Sequence, residues 1–88
     1  MTAGDVRTCR AKLHISQAEL AQLLGVHSLT VSKWERGKLR PTAYQAALIA
    51  AFDVAVEHKP GIGPAIERSL AANGPIQTLY GVLKAAFG

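Results

Sequence analysis

The 88-residue chain has one cysteine, few aromatic residues and no long apolar run. A single cysteine cannot form an internal disulfide, which favours a reducing compartment. The most apolar stretch, residues 46–52, is far shorter than the ~20 residues of a membrane-spanning helix. The first residues, MTAGD, lack the basic and apolar regions of a signal peptide. The sequence therefore predicts a soluble cytoplasmic protein with no membrane partner.

Motifs for catalysis and metal binding are also missing. The cysteine and the three histidines are scattered, without the C-x-x-C or H-x-x-x-H spacing that is typical of metal sites. There is no G-x-x-x-x-G-K phosphate loop and no G-x-S-x-G nucleophile elbow. We therefore expect no enzymatic activity, no metal and no cofactor.

Strand patterns are absent as well, because β-branched and aromatic residues never alternate with polar ones, whereas Ala and Leu recur at helical spacing. The fold class is predicted to be all-α. The pattern predicts six helices, which span about 5–13, 17–24, 28–36, 43–58, 64–72 and 75–87. Asp5 is the expected N-cap of the first helix and Thr42 that of the fourth. A break near Pro60 separates a core of residues 1–59 from a C-terminal helical hairpin of residues 60–88, both packed in one small domain.

The segment 16–41, SQAELAQLLGVHSLTVSKWERGKLRP, carries the strongest pattern. Ser16 and Glu19 have the S-x-x-E spacing of a capping box. Gly25 stands where the chain must turn, and Pro41 prevents the second helix from continuing. Two short helices joined by a glycine-containing turn have the geometry that places the second helix in a DNA major groove.

The net charge of +4 lies entirely in the half that contains this segment. Residues 1–52 carry seven basic and three acidic side chains, whereas residues 53–88 carry three of each. A basic surface around such a motif is expected of a protein that meets DNA phosphates.

The segment resembles the Xre type of helix-turn-helix, the family of the lambda-like phage repressors and Cro proteins. With its flanking helices the resemblance covers roughly residues 6–52. The matching residues are Gln17, Leu20, Ala21, Gly25, Val31 and the run WERG at 34–37. The resemblance implies a lambda-repressor-like bundle, here with two additional C-terminal helices, that binds double-stranded DNA.

Outward positions near the start of the second motif helix, where the family reads bases, are candidates for base recognition. These candidates are Ser28, Leu29, Ser32 and Lys33. Lys33 can donate to guanine O6 or N7, Leu29 can contact a thymine methyl, and a serine can bond several base edges. Candidates for contact with the DNA backbone are Gln17, His27, Arg36, Lys38 and Arg40. For each residue the alternative is a side chain that is merely solvated.

Two neighbouring residues are expected to be structural. Glu35 resembles the family glutamate that pairs with an arginine of the first helix, here Arg10. If this pair is buried, Arg10 has a structural role and does not contact DNA phosphates. Trp34 is expected to pack beneath the motif, with its indole N–H at the backbone.

The last predicted helix has an apolar seam that we interpret as a dimer interface. Its proposed interface residues are Ile76, Leu79, Tyr80, Leu83 and Phe87. The alternative is that the hairpin only completes the core of its own chain. The preceding Gly61–Pro64 segment resembles the loop of a helix-hairpin-helix, but we interpret it as a connector, because the carboxylate of Glu67 is a poor companion for phosphate.

The favoured function is that of a transcriptional regulator, a repressor or autorepressor, which binds a palindromic operator as a homodimer. The alternative is an antitoxin that binds a toxin protein through the C-terminal helices and autoregulates its operon. A helical interaction module without DNA binding is disfavoured, because the candidate DNA-contacting residues are retained. The sequence offers no evidence for an effector site.

Overall fold

The computed structural model describes all 88 residues, which form six α-helices and no strand. The helices are α1 (Ala3–Leu13), α2 (Gln17–Leu24), α3 (Ser28–Glu35), α4 (Ala43–His58), α5 (Ile62–Asn73) and α6 (Pro75–Phe87). The predicted all-α class is confirmed. No helix is both long and apolar enough to cross a bilayer.

Three helices begin with a reciprocal capping box, in which the N-cap hydroxyl and the side chain three residues later satisfy each other's backbone N–H groups. The pairs are Thr2 with Asp5, Ser16 with Glu19, and Thr42 with Gln45. The expectation that Asp5 is the N-cap of α1 is wrong. Asp5 instead accepts the backbone N–H of Thr2 at 2.8 Å, and these bonds with Thr2 lower the pKa of its carboxyl.

The start of α5 also differs from the prediction, because the helix begins at Ile62 and includes Pro64 in its first turn. A proline is tolerated there, since the first N–H groups of a helix have no partner within it. Gly63 is required for another reason: a Cβ at this position would collide with the carbonyl of Leu13. The Gly61–Pro64 segment therefore serves close packing of α5 on α1.

One apolar core joins both parts of the chain. It contains seventeen buried residues, from Val6 in α1 to Ala86 in α6, with Trp34 and Phe52 as the largest. The last helix packs against α4, α5 and α2. The hairpin therefore lies directly on the helix-turn-helix core.

The apolar seam expected on α6 is divided between core and solvent. Val82, Ala86 and Thr78 face inward, and Leu79 and Leu83 are half-buried. The remaining members of the seam stay exposed: Ile76 by 82%, Tyr80 by 65% and Phe87 by 73%. The side of α6 that is not needed by its own core is therefore apolar and aromatic.

Candidate nucleic-acid interface

The turn between α2 and α3 is tight and depends on glycine. Gly25 has φ +69°, a left-handed conformation that side chains disfavour. The next residue, Val26, donates its N–H to the carbonyl of Ala21 at 3.0 Å, which closes the end of α2. Because Ala21 and Val31 are buried beneath the turn, the two helices cross closely and α3 lies on the surface.

The outer face of α3 carries the side chains expected to read bases. Ser28, Leu29 and Lys33 are exposed, while Ser32 is half-buried. Leu29 exposes 57% of its surface, although an apolar core lies on the other side of the same helix. The face therefore offers hydroxyl groups, one ammonium and one apolar side chain within two turns, a combination that can match hydrogen-bonding groups and methyl groups of bases.

His27 is the N-cap residue of α3, with extended backbone angles and no hydrogen bond from its side chain. The first N–H groups of α3 therefore have no side-chain partner. Such groups, together with the positive end of the helix dipole, are suited to contact phosphate oxygens.

Three basic residues follow α3 and extend its exposed surface. Arg36, Lys38 and Arg40 are all exposed, and none of them takes part in an ion pair. Gly37, with φ +71°, allows the chain to turn among them. The three cations remain available for an external anion.

A polar network fixes α3 to the two helices before it. Glu35 is only 5% exposed and accepts two bonds from Arg10, at 2.7 Å from Nε to Oε2 and 3.0 Å from Nη2 to Oε1. Arg10 also donates to the carbonyl of Ile15 at 3.2 Å. The structure thus brings Arg10 and Glu35 together as a bidentate ion pair and directs the guanidinium into the protein, away from the surface of α3.

These bonds have an electrostatic consequence. Hydrogen bonding from Arg10, followed by a bond from Gln17, lowers the pKa of Glu35 below its ordinary value of 4.5, although burial opposes the change. A carboxyl group whose pKa is lowered on folding stabilises the folded state at pH values above its ordinary pKa. This contribution is lost as the pH falls through the lowered pKa.

Gln17 completes the network from the first position of α2. Its Nε2 donates to Glu35 Oε1 at 3.1 Å, which leaves the amide oxygen and one further N–H of the side chain free. Half-buried at the start of α2, Gln17 is held in position relative to α3 while part of its side chain stays available for phosphate.

The expectation for Trp34 is only partly correct. The ring is buried beneath the motif, with 1% exposed, but the indole Nε1 has no hydrogen-bond partner, and so it is not at the backbone. No sequence signal pointed to this unpaired donor, because whether a buried N–H finds an acceptor depends on how the helices pack.

Chemistry of other kinds has little support. Cys9 lies in the core with its Sγ 3.6 Å from the carbonyl oxygen of Ile49. Burial, with the Asp53 carboxylate nearby, raises the pKa of the Cys9 thiol to about 12, which makes the thiolate inaccessible at neutral pH. No three side chains of the His, Cys, Asp or Glu types are grouped as metal ligands would be.

Comparison with known proteins agrees with this geometry. A family model described as helix-turn-helix matches residues 6–52, slightly more than half of the chain. The matched segment contains most of α1, all of α2 and α3, and the first ten residues of α4. No curated protein and no solved structure matches the chain significantly.

Proposed function

Because the chain belongs to the Xre/lambda repressor-like helix-turn-helix family, we propose that it is a transcriptional regulator that binds one specific sequence of double-stranded DNA. The exposed face of α3 carries this proposal. Leu29 and Lys33 lie one turn apart on that face, and three unpaired cations follow it directly. The face supplies groups that distinguish bases, and the cations supply affinity for phosphate.

In this proposal Ser28, Leu29, Ser32 and Lys33 contact base edges. The backbone is contacted by Gln17, His27, Arg36, Lys38 and Arg40, while Arg10 and Glu35 hold α3 in place. The division is supported by burial and pairing, since the nine contacting residues are exposed or half-buried and Glu35 is buried.

We further propose that two copies assemble through α6 and bind a palindromic operator. Ile76, Tyr80 and Phe87 project from one side of this helix, and Leu79 and Leu83 border them. Aromatic residues are enriched in the centres of protein interfaces, where they bury large areas. An isologous pair built on this face would present two α3 helices to two half-sites related by the same two-fold axis.

The dimer would act in the cytoplasm as a repressor or autorepressor by occupying its operator, without a metal or cofactor.

A second function, that of an antitoxin, is favoured by a different feature. A groove of about 420 Å³ runs between α5 and α6 and is lined by small residues such as Ala65, Gly81 and Ala85. Such a groove can accept side chains of a protein partner, which would be the toxin. Co-expression with the product of an adjacent small gene, with cell growth as the readout, distinguishes the two functions.

The regulator proposal is tested by selecting bound duplexes from a random library. We expect a palindromic consensus, bound with an affinity whose logarithm falls by ~0.9 per phosphate contact as the logarithm of salt concentration rises. The separation of the two half-sites would then report the dimer geometry. Recovery of no consensus, with weak salt-sensitive binding alone, would contradict the proposal.

A further inference from the structure

The groove between α5 and α6, of about 420 Å³, reaches down to the apolar core. Its deepest lining residues are Ile62, Ile66 and Val82, which are at most 7% exposed. Sites for small ligands typically have volumes of about 300–1,000 Å³ and are mostly apolar, with a few polar groups that orient the ligand. The groove therefore has the size and the lining of a site for a small molecule.

Hydrogen bonds bound the groove at both ends. At one end, Ser69 Oγ and Thr78 Oγ1 lie 2.7 Å apart and join α5 to α6. At the other end, the ring nitrogen Nδ1 of His58 lies 3.1 Å from the carbonyl oxygen of Ala85 and joins the end of α4 to α6. Between these ends α5 contributes residues 62–69, a length of ~10 Å at 1.5 Å per residue. A short groove that is bounded at both ends suits a compact molecule better than an extended peptide or a helix.

The only charged side chain in the lining of the groove is that of Lys59. Its ammonium group has no ion-pair partner within the protein, and no carboxylate lines the groove. A molecule that matches the groove in charge as well as in shape is therefore apolar over most of its length and carries one negative charge.

We propose that this groove binds a small organic carboxylate. The apolar body of the ligand lies on Ile66 and Val82, and its carboxylate pairs with Lys59. Burial of the apolar body supplies most of the affinity. The ion pair at the solvent-exposed Lys59 adds a smaller contribution and selects acids over neutral molecules of the same shape.

The position of the groove connects this ligand to assembly. Val82 of α6 lines the groove, and the other side of the same helix carries Tyr80 and Phe87 of the proposed dimer interface. A ligand between α5 and α6 therefore changes the dimer affinity and, through it, the affinity for the operator. Coupling of this kind is reciprocal, so the operator changes the affinity for the ligand by the same factor. The regulatory role rests on the proposed function, whereas binding of the carboxylate does not.

The probe for the site is phenylacetate, with phenylacetamide as an uncharged molecule of the same shape. Each is titrated into the labelled full chain while nitrogen–proton NMR spectra are recorded. We expect saturable shifts of the amides of residues 59–66 and 78–85. Phenylacetate should bind about threefold to fivefold more tightly than the amide, the factor that corresponds to an ion pair accessible to water.

Two results would overturn the proposal. Equal affinities for the two probes, or shifts outside the groove alone, would show that no carboxylate site exists there. Shifts of the same residues on concentrating the protein without any probe would assign the groove to a second copy of the chain.

A variant that fills the groove tests the location of the site. A Cβ at position 81 would meet no atom within 4 Å, and leucine favours a helix more than glycine does, so Gly81→Leu should fold and keep its melting temperature. It should not bind phenylacetate. Gln77→Leu, at an exposed position of α6 outside the groove, is the control and should bind like the wild type. Undiminished binding by Gly81→Leu would overturn the location.

A second pair of variants tests the charge. Lys59→Gln should weaken binding of phenylacetate by about threefold to fivefold and leave that of phenylacetamide unchanged. Lys84→Gln, at an exposed position of α6 outside the lining, should change neither affinity. Equal losses for the two variants would show an effect of overall charge and overturn the pairing with Lys59.

Binding to the selected operator tests the regulatory role. Saturating phenylacetate should change the operator affinity of the wild type and leave that of Gly81→Leu unchanged. An operator affinity that stays the same while the probe is bound would overturn the regulatory role. If no operator is recovered, the proposed function is wrong, and the titration still decides whether the groove binds a carboxylate.

Discussion

Two surfaces of this protein expose apolar side chains, and they differ chiefly in charge. On α3, Leu29 lies one turn before Lys33, and three exposed basic residues follow the helix. On α6, Ile76, Tyr80 and Phe87 lie in a half of the chain without net charge. An exposed apolar side chain that is accompanied by basic residues can bind in a DNA groove. An exposed apolar surface without net charge is better suited to bind another protein surface. The surrounding charge, more than the exposed leucine or aromatic, distinguishes the two surfaces.

The two regions are also stabilised in different ways. The helix-turn-helix depends on a buried polar network of Arg10, Glu35 and Gln17. The hairpin depends on apolar packing of Val82 and Ala86 and on one buried hydroxyl, since Thr78 Oγ1 lies 2.7 Å from Ser69 Oγ and 2.9 Å from the Gly74 carbonyl oxygen. Removing one side chain of the polar network should therefore lower the stability of the fold more than removing one side chain from the packing of the hairpin.

The largest expected effect comes from Arg10→Ala. It leaves the buried carboxylate of Glu35 without its cation and should lower the free energy of unfolding by about 3–5 kcal/mol. Lys12→Ala is the control on the same helix, because Lys12 Nζ is 3.7 Å from Asp53 Oδ1, a longer pair whose side chains are 47% and 37% exposed, and an ion pair this accessible to water is worth about 1 kcal/mol or less. Urea denaturation measures both. Equal decreases in the free energy of unfolding for the two variants would show that the buried network stabilises the fold no more than an exposed ion pair does.

The next effect tests the α6 surface. Tyr80→Glu places a charge in the exposed apolar face and should raise the dimer dissociation constant by about 30-fold or more, the effect of losing an interface hot spot. Ala72→Glu adds the same charge at an exposed position of α5 and should leave assembly unchanged. Light scattering across a concentration series measures the association. A wild-type chain that stays monomeric at all concentrations would show that the exposed face of α6 is not a dimer interface.

The third effect separates base reading from backbone contact. Lys33→Ala should cost about 1–3 kcal/mol of binding free energy and relax the preference at one base pair. Arg36→Ala should instead weaken binding uniformly and reduce the salt slope by about 1. Binding to the selected operator and its single-base variants, over a range of salt, distinguishes them. An unchanged base preference in Lys33→Ala would exclude Lys33 from recognition.

The smallest expected effect is an increase in the stability of the fold. His27 occupies the N-cap of α3 without a hydrogen bond from its side chain, and His27→Ser should supply one and stabilise the fold by about 1 kcal/mol. For a domain of this size the melting temperature would rise by about 4–8 °C. His14→Ser, at an exposed position outside any N-cap, is the control and should show no such rise.

Local spacing explains which parts of the fold were predictable. The bounds of α2 and the start of α6 at Pro75 follow from cap residues adjacent in sequence, and the structure agrees with them. The starts of α1 and α5 differ by two residues each, because Thr2 is the N-cap of α1 with Asp5 as its capping-box partner, and because Gly63 allows α5 to approach Leu13. The helical spacing of apolar residues in 43–58 also predicts Tyr44 on the buried side of α4, but Tyr44 lies in the first turn of that helix and is 73% exposed, whereas Ile49 is buried.

The sequence by itself determined the helical class, the helix-turn-helix and its outward-facing residues, because these depend on spacing within one or two turns of helix. It also located the basic half of the chain. The tertiary structure alone decided which side of α6 remains exposed, how Gln17 joins Arg10 and Glu35, and that the indole N–H of Trp34 has no partner. These features depend on side chains that are far apart in sequence and meet only when the helices pack.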